Sequence, residues 1–137
     1  MFGWMTPKPV RLAKRYVAAV NAGDADVVAD MMSAGCRYVD SSGRWIDGRE
    51  NVRVATTRFF EMEHNFRIDV TSMVLHDGDV LIRGTVTADD PVLAQDTLWL
   101  ARVEDGRISY WQSFGKGLPV SLTRILVPEV AQEAIAA

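Results

Sequence analysis

The stretch Y-V-A-A-V-N-A-G-D-A-D-V-V-A-D-M-M-S-A-G-C-R-Y-V-D, Tyr16 to Asp40, decides how this chain folds. It reads as helix, stop, helix, stop, strand. Leu12, Tyr16 and Val20 recur at four-residue steps with Ala13 and Val17 beside them, one apolar stripe, while Arg11, Lys14 and Arg15 fall on the other side. With Pro7 suited to a first turn, the spacing predicts a helix over 7–21. Gly23 ends it, because glycine accepts the left-handed cap conformation. Asp24 then caps a short second helix carrying Val27, Val28, Met31 and Met32 on one side, which Gly35 stops. Cys36 to Asp40 follows as a strand with Cys36, Tyr38 and Asp40 on one face.

Upstream lies a short arm, Met1 to Thr6, whose Phe2 and Trp4 are expected to pack on the domain or on a partner subunit. Downstream, Ser41-Ser42-Gly43 is turn chemistry, and Asp47 with Glu50 has the spacing of a capping box. A third helix is predicted to about Glu63, burying Val52, Ala55, Phe59 and Phe60. From Phe66 the period changes to two. Strands are predicted from Phe66, over 80–88, over 94–104 and over 107–114, with turns at His76-Asp77-Gly78-Asp79 and Asp105-Gly106. Lys116 to Pro119 reads as loop, and a terminal helix is predicted from Pro128. Helices segregated to one face of an antiparallel meander make an α+β domain. A strongly curved sheet closed by helices is a cone with an internal pocket. The expected organisation is one domain over 1–137, with a core at 7–115 and a tail at 116–137.

Bulk properties narrow the function classes. At 137 residues and 48% hydrophobic, the chain can bury a substantial core. A net charge of −3 without a basic stripe argues against a nucleic-acid surface. No apolar run approaches a membrane span, and no export signal is legible, so a cytoplasmic protein is expected. Cys36 is the sole cysteine, read as a buried inert thiol. His64 and His76 lack metal-ligand spacing, so neither metal nor cofactor is expected.

The run R-Y-V-A-A-V-N-A-G-D at 15–24, Tyr38-Val39-Asp40, Asp47-Gly48-Arg49-Glu50 and the ending D-G-R-I-S-Y-W-Q-S-F resemble the ketosteroid isomerase and SnoaL-like branch of the nuclear transport factor 2-like superfamily. The resemblance spans about Val10 to Phe114. It implies a cone-shaped barrel of curved antiparallel sheet wrapped around three N-terminal helices, in a chain that forms dimers. It also implies roles: Asp40 falls on the proton-shuttling aspartate and Tyr16 on the tyrosine that stabilises an enolate oxygen. Three positions depart from the pattern. Trp99 stands where the family places a second acid on a late strand, which counts against SnoaL-type cyclase chemistry as well. The supporting tyrosines fall near Met32 and Thr56.

The expected site therefore combines Asp40 as base and Tyr16 as oxyanion donor with a ligand wall of Trp99, Trp111, Ser113, Tyr38, Met32 and Phe59. Asp40 also has a second reading, a turn aspartate bonded to the backbone at Ser42 or Gly43, and Tyr16 one as a structural phenol. Arg83 either faces inward towards Asp40 or outward at a dimer surface. The leading functional reading is a cofactor-independent isomerase-type enzyme acting on a hydrophobic carbonyl compound. The alternative is a non-catalytic ligand-binding or dimerisation module, with a dehydratase or epoxide hydrolase ranked below both. Apolar residues on both sheet faces, Val80, Ile82 and Val86 against Leu81, predict a homodimer through the sheet.

Overall fold

The computed structural model describes residues 6–116 and 119–135; the arm with Phe2 and Trp4 and part of the predicted loop at 116–119 lie outside them. Helix α1 (Lys8–Asn21) starts behind Pro7 and buries Leu12, Ala13, Tyr16 and Val17, the stripe read from the sequence. Gly23 leaves it at φ +68°. The Asp24 carboxylate then accepts from the Val27 N–H at 3.1 Å and starts α2 (Ala25–Asp30).

The predicted end of α2 is corrected. The helix stops at Asp30, and Met32 opens strand β1 (Met32–Val39). Tertiary pairing overrides the local helical pattern here: the Ile108 N–H donates to the Met31 carbonyl at 2.8 Å, and the Arg49 guanidinium donates to that of Met32 at 2.9 Å. The capping box is also absent. Asp47 closes a short strand, β2 (Trp45–Asp47), and its carboxylate holds the Arg37 guanidinium at 2.7 and 3.0 Å. Helix α3 (Arg49–Met62) starts instead from Gly48 at φ +95° without a side-chain cap.

Strands β3 (Arg67–His76), β4 (Asp79–Thr87), β5 (Asp96–Glu104) and β6 (Arg107–Gly115) form the predicted meander. The sheet order is β2-β1-β6-β5-β4-β3; β1 runs parallel to β6 and every other pair is antiparallel. The sheet is curved and unclosed, and the helices occupy its concave side. On β4, Val80, Ile82 and Val86 are buried on that side. Gly84 sits between Ile82 and Val86 for a steric reason. A Cβ there would lie 2.6 Å from the Asp69 carbonyl oxygen and 3.2 Å from the Trp99 ring, so its absence lets the indole lie against the strand.

The convex face carries Val74, Leu81, Leu98 and Phe114, all more than a third exposed. They adjoin one another, because Leu81 pairs with Val74 while Leu98 pairs with Phe114 and with Arg83. Arg83 is exposed on this outer face, so it takes the outward reading.

The C-terminal segment differs from expectation too. Its helix, α4 (Leu122–Leu126), precedes Pro128, and a turn follows it. The segment returns over the concave side as a strap. Val127 is buried in the core, Arg58 donates to the Leu126 carbonyl at 2.7 Å, and Gln132 exchanges backbone hydrogen bonds with Trp45 at 2.8 and 2.9 Å. No helix among the described residues is long and apolar enough to cross a membrane.

Candidate functional site: an uncharged cavity under the sheet

A cavity of about 140 Å³ lies between the helices, the concave side of the sheet and the strap. The sequence places each wall by its period. The α1 stripe brings in Tyr16, alternation on β1 brings in Tyr38, and alternation on the late strands brings in Thr97 and Trp99 from β5 and Trp111 and Ser113 from β6. Trp99 pairs with Ser113 across the two strands, and Trp111 with Tyr38 across the parallel pair. Helix α3 adds Thr56 and Phe59, and the strap adds Leu122 and Leu126.

The aromatic groups brace one another. The Tyr16 and Trp111 rings lie 4.4 Å apart with planes tilted by 35°. Phe59 meets Phe66 edge to face at 4.9 Å. The Tyr16 hydroxyl forms no hydrogen bond among the described residues. Burial, then Tyr38 and Cys36, push its phenol well above the ordinary range. Tyr38 is pushed up to about 12, chiefly by burial and next by the Asp40 charge, with a hydrogen bond from Ser113 acting the other way. Both phenols are therefore neutral hydrogen-bond donors at physiological pH.

Asp40 is buried, 1% exposed, yet it does not line the cavity. Its carboxylate accepts six hydrogen bonds. The Ser42 N–H, Ser42 hydroxyl and Arg44 N–H donate to Oδ1 at 2.9, 2.6 and 3.2 Å. The Ser121 hydroxyl, Thr123 N–H and Thr123 hydroxyl donate to Oδ2 at 2.9, 3.1 and 2.7 Å. One oxygen closes the β1–β2 turn and the other holds the first turn of α4. The turn-aspartate reading matches the Ser42 contact in the first half of this arrangement, whereas Arg44 takes the place expected of Gly43, whose N–H donates to the Asp40 backbone carbonyl instead. To take a proton from a ligand, the carboxylate would have to release donors from one of two chain segments.

Of the other residues expected at the site, Tyr16, Tyr38, Phe59, Trp99, Trp111 and Ser113 line the cavity, whereas Met32 is fully buried in the core away from it. No Asp, Glu, Lys, Arg or His side chain lines the cavity among the described residues. Nor does any group of three or more His, Cys, Asp or Glu residues lie together among them in a way that could hold a metal ion. Cys36 is buried, and burial, the largest influence on it, pushes its thiol up. Thr97 and the strap were missed in the sequence reading. Thr97 was recoverable, two residues from Trp99 on the same strand. The strap was not, because its docking depends on Asp40, 83 residues from Thr123.

Residues 13–111 match the SnoaL-like domain. Solved structures with a similar fold include a cystatin-fold protein from Novosphingobium aromaticivorans (22% identity, 80% of this chain and 99% of that one, TM-score 0.71). Another is a protein with a ketosteroid isomerase-like fold from Catenulispora acidiphila, in complex with trimethylamine (20%, 75% and 83%, 0.68). A third is an LEH-like epoxide hydrolase of M. tuberculosis (18%, 80% and 83%, 0.70). At these identities the likeness is one of fold. No curated protein matches the chain.

Proposed function

The chain belongs to the SnoaL-like domain family, and from that premise we propose that it is a binding protein for an uncharged hydrophobic small molecule, held in the cavity by a hydrogen bond from Tyr16. One observation carries this reading: the cavity is lined by aromatic, aliphatic and neutral polar side chains and by no charged one among the described residues. Proton transfer between carbons at neutral pH needs a group that can hold the proton within reach of the substrate. Tyr16 and Tyr38 are pushed too high to serve as bases, and Asp40 is engaged elsewhere by six donors. What the site offers is a largely apolar lining with phenolic donors, of which Tyr16 has no hydrogen-bond partner among the described residues.

Trp99 and Trp111 line the cavity, so fluorescence quenching reports occupancy directly. Titration with neutral ketones and with carboxylates of equal size should show binding of the ketones alone. Tyr16→Phe should weaken ketone binding by about five- to thirty-fold, the equivalent of one hydrogen bond of about 1–2 kcal/mol. Isomerisation of a β,γ-unsaturated ketone by the wild type, abolished in a folded Asp40→Asn variant, would overturn the reading in favour of a proton shuttle.

The convex face supports a second element of the proposal, a homodimer through the sheet. Val74, Leu81, Leu98 and Phe114 form a continuous apolar patch flanked by the Asp79–Arg102 ion pair at 2.9 Å. Such a patch, rimmed by polar groups, is what a self-complementary interface uses. Sedimentation at micromolar concentration should give a dimer, and Leu98→Glu should shift it to monomer. A wild-type monomer under those conditions would remove this element.

A further inference from the structure

Resting on the binding reading above, we infer that the cavity's occupant is a single-ring, uncharged molecule carrying a hydrogen-bond-accepting oxygen.

Size comes first. A dry apolar cavity of about 150 Å³ holds a benzene-sized ligand, and the cavity here is about 140 Å³. That is room to enclose on the order of six to nine non-hydrogen atoms, too little to enclose a fused polycycle. The walls prevent easy enlargement. Trp99 is already pressed against Gly84, Trp111 against Tyr16, and Phe59 against Phe66. Flat indole and phenol faces on opposing strands and helix favour a flat guest.

Chemistry comes second. A carboxylate entering this space would lose its water and meet no cation among the described lining residues. An ammonium would lose its water and meet no carboxylate among the described lining residues; the rings offer it a partial substitute. A ketone, ester or phenol oxygen meets the Tyr16 hydroxyl, which has no other partner among the described residues. Burial keeps that phenol protonated, so it donates at physiological pH. The hydroxyls of Ser113 and Thr97 are less available. The first is bonded to Tyr38 and the second donates to the Gln95 carbonyl at 3.3 Å. The free Tyr16 hydroxyl thus points to an acceptor oxygen on the ligand.

The test is calorimetric titration of the full chain with acetophenone, toluene, benzoate, tetramethylammonium, 2-acetonaphthone and progesterone. Acetophenone should bind at least ten-fold tighter than any other member. Tyr16→Phe should lower its affinity while leaving that of toluene within two-fold. A Thr56→Leu substitution, which fills the cavity, should abolish both; if that variant fails to fold, the acetophenone–toluene contrast in Tyr16→Phe decides alone. Equal or tighter binding of 2-acetonaphthone or progesterone would overturn the single-ring inference and leave the binding reading standing. Preference for benzoate or tetramethylammonium, or no binding by any member, would overturn both.

Discussion

Replacing Asp40 with alanine is expected to remove about 3–6 kcal/mol of stability, a large share of the 5–15 kcal/mol typical of a domain. Six donors lose their acceptor in this variant, and three of them are backbone N–H groups, of Ser42, Arg44 and Thr123, that cannot rotate towards another. The contributions are not additive, since the donors belong to one network. Asp40→Asn should cost less, about 1–3 kcal/mol. Its amide oxygen can serve the two backbone N–H groups of the turn, its NH2 then faces Thr123, and the Ser121 and Thr123 hydroxyls rotate to accept. Denaturant unfolding gives the order wild type, Asn, Ala. A loss below about 1 kcal/mol for alanine would show that the strap holds without this carboxylate. The effect should also reach the cavity. Leu122 and Leu126 are wall residues delivered by α4, so a released strap should speed ligand departure in both variants.

Asp40 also shows where sequence reasoning stops. A carboxylate at the end of a short apolar strand is the same local pattern whether it faces a ligand or caps a distant helix. The local half was legible in part as turn chemistry: Ser42 donates as read, while Arg44 rather than Gly43 supplies the second backbone N–H. The half supplied by Ser121 and Thr123 arises from contacts more than 80 residues away in sequence. Elements set by near neighbours were readable for the same reason. The stripe Leu12–Tyr16–Val20 gave α1, and the alternation of Val80, Ile82 and Val86 gave β4. Where a long-range partner competes with a local signal, the partner wins. Met32 leaves the helical pattern to pair beside Ile108, and Asp47 leaves a capping position for Arg37. The aromatic wall was legible because period and face suffice to place it. That no charged side chain among the described residues lines the cavity required the cavity itself, since Arg83 and Asp40 both lie within or beside strands that contribute to its walls.

The second large effect belongs to Trp99. Truncation to alanine should cost about 3–5 kcal/mol, the transfer of an indole from core to nothing plus the cavity left behind. Trp99 is 5% exposed and packs at Gly84 on one side while facing Ser113 across β5 and β6. Collapse is resisted because Gly84 has no side chain to advance, and the neighbouring wall residues sit on paired strands. The space vacated therefore joins the existing 140 Å³. Ligand selectivity should move with it. A two-ring ketone such as 2-acetonaphthone, which the wild type is expected to exclude, should gain at least ten-fold in affinity, while acetophenone should weaken as it loses a wall. The same ligand should restore stability that the mutation removed, by about 2.7 kcal/mol at a free concentration one hundred times its Kd. Thermal unfolding with and without ligand measures both arms. If Trp99→Ala loses less than about 1 kcal/mol and gains no affinity for the two-ring ketone, the wall has closed around the deletion. The size limit on the ligand would then lie elsewhere, in the helix-borne pair Tyr16 and Phe59.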